Sequence, residues 1–291
     1  MFGGLARIVL GMSDIAIDDL KEKGRVYVPY PTDLREGVEE AVAAWKAFCE
    51  LPVEQKQKFV YSGDLNISGN GYELKLNDAR ADLKEDFHLR VSVADWLREQ
   101  ALLVDPTVTI HFVNTALKLN GLMTDTLRSF AEAVEQRYKI EGFADDVMAR
   151  QPQWLLRFLH YFGGREPGDE FAAPHVDKGG FTLHLYESND GVESLSFDTK
   201  EWQSLPLAHD ETVFFAGMGL QQRAECELRA LCHRVIATPE TAENGRYSAV
   251  AFIGFEHARY WDKEKHGRMQ DWAPGAFYDM PFTELNQYFV D

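Results

Sequence analysis

The texture of the chain changes at Pro152. Beyond it, short apolar or alternating runs at 154–162, 181–186, 213–216 and 247–255 are separated by Gly, Asp, Asn and Pro. Runs of that length between turn formers predict an antiparallel β architecture of the barrel or jelly-roll kind. Upstream the signals are mostly helical. Residues 24–28 alternate as a short strand, and Asp33 with Glu36 three places on predicts a capping box opening a helix. Leu34, Val38, Val42, Trp45 and Phe48 recur at three- and four-residue spacing, so this helix buries one stripe until Leu51-Pro52 ends it. The Gly/Asn-rich stretch 62–71 predicts a loop. A second long helix is expected from about 107 to 138, with Phe112, Leu119, Leu122, Phe130 and Val134 inward, and a C-terminal helix from about Pro281. No linker-like stretch divides the chain. Residues 1–150 are therefore expected to be a helical region packed on a mainly β core at 151–291, not an independent domain.

At 291 residues, 45% hydrophobic and 26% charged, the chain can bury a sizeable core. Its formal net charge of −17 repels phosphate backbones and anionic membranes, which argues against nucleic acid or a membrane surface as partner. Cys49, Cys226 and Cys232 form no Cys-x-x-Cys pair and suit a reducing compartment. Cys232 adjoins His233 but reads as a buried thiol. Residues 1–12 lack a basic segment followed by a long apolar run, and no stretch reaches transmembrane length, so a cytoplasmic location is expected. Oligomeric state is not legible.

Chemistry concentrates in three places. His175 and Asp177 stand one residue apart, and His233 follows fifty-eight residues after the first histidine. Alternate side chains of a strand share a face, so one ion can meet both members of the first pair. Two imidazoles and a carboxylate hold Fe(II) on one face and leave the opposite positions open. Thirteen residues beyond His233, Arg246-Tyr247-Ser248 sets a planar guanidinium and a hydroxyl on one strand face, a receptor for a carboxylate. Together they point to an iron oxygenase consuming a 2-oxo acid. A rival grouping, His209-Asp210-Glu211, falls in a polar turn with nothing downstream to complete it. The other histidines have ordinary structural explanations, with His160 and His184 on strands near the site.

The stretch from Pro152 to Phe255 resembles the catalytic core of the Fe(II)/2-oxoglutarate-dependent oxygenases of the isopenicillin N synthase-like family. His175-Val176-Asp177-Lys178-Gly179 with Thr182-Leu183 matches that family's H-x-D-x-G-x-x-T-L pattern. Arg157 to Tyr161, Gly191, Trp202, Leu205, Gly217, Leu220, His233-Arg234-Val235 and Arg246-Tyr247-Ser248 fall in the family's order. So, upstream, do residues 24–28, 51–56, Gly71-Tyr72 and 83–87. Phe162, the 214–218 segment and Glu225-Cys226 depart from the usual pattern without touching a metal ligand. The resemblance implies a double-stranded β-helix with flanking helices. It also implies Fe(II) on His175, Asp177 and His233, and 2-oxoglutarate with its far carboxylate on Arg246 and Ser248, Tyr161 serving as a further donor. A dication plus Asp177 leaves one positive charge, which a dianionic cosubstrate plus Arg246 brings to neutrality. The implied reaction uses O₂ to hydroxylate, desaturate or cyclise a small organic molecule, releasing succinate and CO₂. Phe87, His88 and residues 277–289 are expected near the entrance. Two alternatives stand beside it: an oxidase of the same fold that needs no 2-oxo acid or uses ascorbate, and a catalytically silent jelly-roll protein with a closed metal site.

Overall fold

The computed structural model of the protein describes residues 17–59, 69–77 and 82–291; the first twelve residues and most of the 62–71 segment lie outside these. Its N-terminal portion comprises α1 (Asp19–Lys23), β1 (Arg25–Pro29), α2 (Thr32–Cys49), α3 (Val53–Lys56), β2 (Gly71–Asn77) and β3 (Asp82–Leu89). Next come α4 (Ala94–Leu102), α5 (Pro106–Leu122), α6 (Thr124–Tyr138) and α7 (Phe143–Ala149). Then follow β4 (Leu155–Tyr161), β5 (Glu170–His175), β6 (Phe181–Glu187), β7 (Val192–Leu195), β8 (Trp202–Ser204) and β9 (Glu211–Ala216). A short helix α8 (Met218–Arg223) leads to β10 (His233–Ile236) and β11 (Arg246–Ile253).

Strands β1 to β11 form two facing antiparallel sheets, and Tyr260–Trp261 pairs with Phe289–Val290 in a separate two-stranded one. The larger has the order β1-β9-β6-β11-β4-β3-β2 and the smaller β5-β10-β7-β8, the arrangement of a double-stranded β-helix. Helices α2 and α5 cover the outer face of the larger sheet. Trp45, Phe48, Phe87, Phe112 and Phe158 meet there, with ring centroids 5.0 Å apart for Phe87 and Phe112 and 5.4 Å for Trp45 and Phe112. The Trp45 indole N–H donates to the Leu159 carbonyl at 3.3 Å, tying helix to sheet. A second apolar cluster, including Phe171, Val192, Phe215 and Val235, lies between the sheets.

All five residues of the stripe expected on α2 are buried. The capping box is not formed. The helix begins at Thr32 after Pro31, which makes no side-chain cap; Asp33 instead sits in the first turn, where its carboxylate accepts from the Leu34 N–H at 3.0 Å. The single long helix expected over 107–138 is two, α5 and α6, meeting at Met123. Asn120 and Gly121 are weak helix formers, and the Thr124 hydroxyl donates back to the Asn120 carbonyl at 3.5 Å, which bends a helix. Leu122 is only partly buried at that break. The C-terminal helix is one α turn, Phe282–Leu285, continued by a 3₁₀ turn at Asn286–Tyr288 and the strand Phe289–Val290. Strands β2 and β3 were not expected from periodicity. β3 buries charged side chains on both faces, Glu85 paired with Lys56 and Asp86 beside His88 and Lys75, so its hydrophobic alternation is masked.

Candidate metal centre

His175 ends β5 and His233 begins β10, and the two strands pair so that these histidines are direct cross-strand partners. Residues fifty-eight apart in sequence are thereby neighbours, their rings 4.2 Å apart between centroids. Asp177 does not lie on the strand, as the alternation argument assumed; it stands two residues beyond the end of β5, in a loop. That loop is clasped by the turn into α8. The Met218 N–H donates to the Asp177 carbonyl at 2.7 Å, and the Gly219 N–H to that of Gly179 at 2.9 Å. Gly217 admits the approach, because a Cβ there would stand 2.4 Å from the Gly179 oxygen.

The ligand atoms of His175, Asp177 and His233 all lie within 4.8 Å of one another. His175 Nε2 is 3.8 Å from Asp177 Oδ1, and His233 Nε2 is 4.0 Å from Oδ2. These gaps are too long for hydrogen bonds yet shorter than two metal–ligand bonds of about 2.1 Å end to end. Both imidazoles are already oriented. His175 Nδ1 lies 2.8 Å from the Ala173 carbonyl and His233 Nδ1 3.1 Å from that of Leu231. A carbonyl only accepts, so each Nδ1 carries the proton and each Nε2 presents its lone pair to the gap. Burial, followed by the neighbouring His233, holds the His175 pKa down to about 4 and keeps the ring neutral. The Thr182 hydroxyl donates to Asp177 Oδ2, fixing the carboxylate. Two nitrogen donors and one oxygen, all on one side, fit an octahedral divalent ion with vacant positions.

Two other acid–histidine groups exist among the described residues, and neither has this character. In one, Glu85 is occupied by Lys56 at 2.6 Å, Tyr72 at 2.9 Å and His160 at 2.9 Å. In the other, Asp86 is engaged by His88 at 2.9 Å and Lys75 at 3.6 Å. A lysine ammonium in each supplies the positive charge that a cation would bring. His209 is exposed and pairs with Glu39 at 3.0 Å, away from the centre. Cys232 is a buried thiol, raised in pKa by burial. Phe87 belongs to the helix-side core, Phe277 packs against Trp261 and Trp272 in the C-terminal segment, and neither they nor His88 line the cavity.

The triad opens into a cavity between the sheets, shared with Arg246, Ser248 and Tyr161. Arg246 is 1% exposed and stands beside Tyr161 in the pairing of β11 with β4. Its Nη2 donates to Glu187 Oε2 at 2.5 Å, while its Nε is buried without an acceptor. Arg246 therefore carries its own counter-ion, and the charge balance expected from sequence omitted Glu187. Burial raises the Glu187 pKa, opposed by Arg246. Ser248 Oγ lies 3.4 Å from His184 Nε2. Burial, then the Arg246 charge, pushes His184 down to about 3, so it is a neutral member of the wall. His184 was expected on a strand near the site; Glu187, Lys84 and Arg157 are the groups around the cavity to which the sequence assigned no role. Their only signal is a charged or polar residue inside an apolar run, which also marks an ordinary solvent-facing strand position.

No protein-family model matches the chain. A 2-oxoglutarate-dependent dioxygenase of Didymella fabae is 26% identical over 245 residues, covering 74% of this chain and 71% of that protein. Clavatol oxidase of Penicillium crustosum is 33% identical over a shorter 113 residues, 37% of this chain and 32% of that protein. Among solved structures, a 2OG-Fe(II) oxygenase family protein from Caulobacter crescentus superposes with a TM-score of 0.68 at 24% identity, covering 82% of this chain and 80% of the other. A full-length Neurospora crassa protein solved in complex with alpha-KG gives 0.66 at 19% identity, covering 93% and 87%. The structures share the fold, and the Didymella relative shares sequence along about three quarters of the chain. With two histidines and a carboxylate facing one gap between the sheets, the chain is similar in sequence and in fold to 2-oxoglutarate-dependent Fe(II) dioxygenases.

Proposed function

We propose that His175, Asp177 and His233 hold Fe(II), and that Arg246 and Ser248, with Tyr161 beside them, receive the far carboxylate of 2-oxoglutarate. When bound, the ion and the 2-oxo acid supply the oxidising chemistry: O₂ is consumed, 2-oxoglutarate leaves as succinate and CO₂, and a small organic substrate is hydroxylated, desaturated or cyclised. The protein's own groups do the rest. Ala173 and Leu231 carbonyls keep both Nε2 atoms pointed inward, and Thr182 keeps Asp177 in its ligating orientation. Glu187 steadies one nitrogen of the Arg246 fork and leaves Nε without an acceptor, so that a second carboxylate can complete it. The observation that carries this reading is the convergence of three ligand atoms within 4.8 Å with no lysine among them. A cytoplasmic setting is part of the same proposal: the cysteines are free, and among the described residues no helix is long and apolar enough to cross a membrane.

The test is anaerobic titration of the Fe(II) protein with 2-oxoglutarate, expected to give a weak visible charge-transfer band. Asp177→Ala is expected to abolish metal retention and the band together. Arg246→Ala is expected to weaken 2-oxoglutarate binding by about tenfold or more, the worth of a charge-assisted pair. A full band in Asp177→Ala, or unchanged affinity in Arg246→Ala, overturns the corresponding assignment. Substrate-dependent succinate release separates this enzyme from an oxidase of the same fold that needs no 2-oxo acid.

A further inference from the structure

Strand β4 presents Tyr161, Leu159 and Arg157 to the cavity, two residues apart. Their partners on β11 are Arg246, Ser248 and Val250 in that order. The carboxylate receptor thus occupies one end of the wall and Arg157 the other, four residues and about 13 Å away along the strand. Arg157 is half-buried, and its Nε is shut off from solvent without an acceptor. No described residue accepts a hydrogen bond from it or closes an ion pair with it. Its guanidinium lies over the Phe252 ring, 4.8 Å from the centroid, so the plane of the fork is held by an aromatic face. Asp86, a carboxylate that feels the Arg157 charge, is already engaged by His88 and Lys75. Lys84 adds a second cation to the same wall, 5.4 Å from the Tyr161 ring.

A partly desolvated guanidinium without an acceptor is costly until a ligand supplies one, and a carboxylate satisfies two parallel N–H groups at once. We propose that Arg157 anchors the anionic group of the substrate, which is therefore a small organic acid bound as its carboxylate. This rests on the metal-centre reading given above. The separation along β4 keeps the substrate carboxylate and that of 2-oxoglutarate on different arginines, so the two bind together instead of competing. An uncharged substrate of the same shape leaves the Arg157 N–H groups unpaired and binds more weakly for that reason.

The test uses the full chain loaded anaerobically with Fe(II) and 2-oxoglutarate, the visible band of the wild type reporting first on the metal-centre reading. Absence of that band counts against the metal centre; its presence isolates the question of substrate charge. Benzoate, phenylacetate and cinnamate are then titrated beside their amides, with dissociation constants read by calorimetry. At least one acid is expected to bind about tenfold or more tightly than its amide. Arg157→Gln is expected to erase that preference, and Arg157→Lys, which keeps the charge but loses the fork, to weaken acid binding several-fold. Should Arg157→Gln fail to fold, as judged by circular dichroism, Arg157→Lys carries the comparison. Equal binding of acid and amide, no binding of any acid, or an unchanged preference in the foldable variants overturns the proposal.

Discussion

His184 lies behind Ser248 in the cavity wall, fully enclosed and close to the Arg246 charge, and both features keep it neutral. Its pKa falls from an ordinary 6.5 to about 3 in the folded protein. On acidification the unfolded chain takes up this proton first, so stability falls as pH drops below 6.5 and the loss levels off near 3. At pH 5 the cost is about 2 kcal/mol, one and a half pH units at 1.36 kcal/mol each. Urea midpoints of metal-free protein at pH 7 and pH 5 should differ less in His184→Gln than in the wild type; an identical difference would refute the assignment. Glu187 is the residue that most changes the chemistry expected of its surroundings. Arg246 alone looks like a free cation awaiting a dianion, but with Glu187 it is a half-neutralised fork with defined open valences.

The element that positions the centre is the turn from β9 into α8, which grips the 177–180 loop through backbone hydrogen bonds. Gly217 has an ordinary negative φ, so its glycine answers to space and not to backbone conformation. A methyl there collides with the Gly179 carbonyl and pushes the Asp177 loop outward. Gly217→Ala is expected to cost about 1–3 kcal/mol, typical of overpacking, and to weaken metal binding besides. Metal titration of the variant decides it: stability lost with metal affinity intact would show that the clasp does not set the ligand geometry. The histidines are positioned differently, by strand pairing. A register slip of one residue between β5 and β10 would turn one imidazole to the opposite face. The larger sheet resists such slips because Trp45, Phe48 and Phe112 brace its outer face.

For the whole molecule, a ligand that binds only the folded state stabilises it by mass action. At a hundredfold excess over the dissociation constant the gain is about 2.7 kcal/mol, which raises Tm by on the order of 5–10 °C at this size. Chelation of Fe(II) should remove that increment in the wild type and change nothing in Asp177→Ala; equal shifts in both would place the metal elsewhere. Within a chain of net charge −17, the cavity wall gathers three cations, Lys84, Arg157 and Arg246, beside the carboxylate of Asp177 and the Glu187 that pairs with Arg246. The order of motifs along the chain was enough to determine the β core and to single out the candidate ligand set and carboxylate receptor, because ligand type and spacing are local properties. The buried stripe of α2 was legible for the same reason, its periodicity depending on nothing beyond the helix itself. Only the tertiary structure decided that Asp177 leaves the strand, that α5 and α6 part at Met123, and that charged β3 is an inner strand. It alone also decided that Glu187 meets Arg246 across fifty-nine residues while Arg157 meets no acid. Pairings of that kind arise from sheet register and burial, where distant side chains neutralise one another, and no local pattern records which partner a buried charge finds.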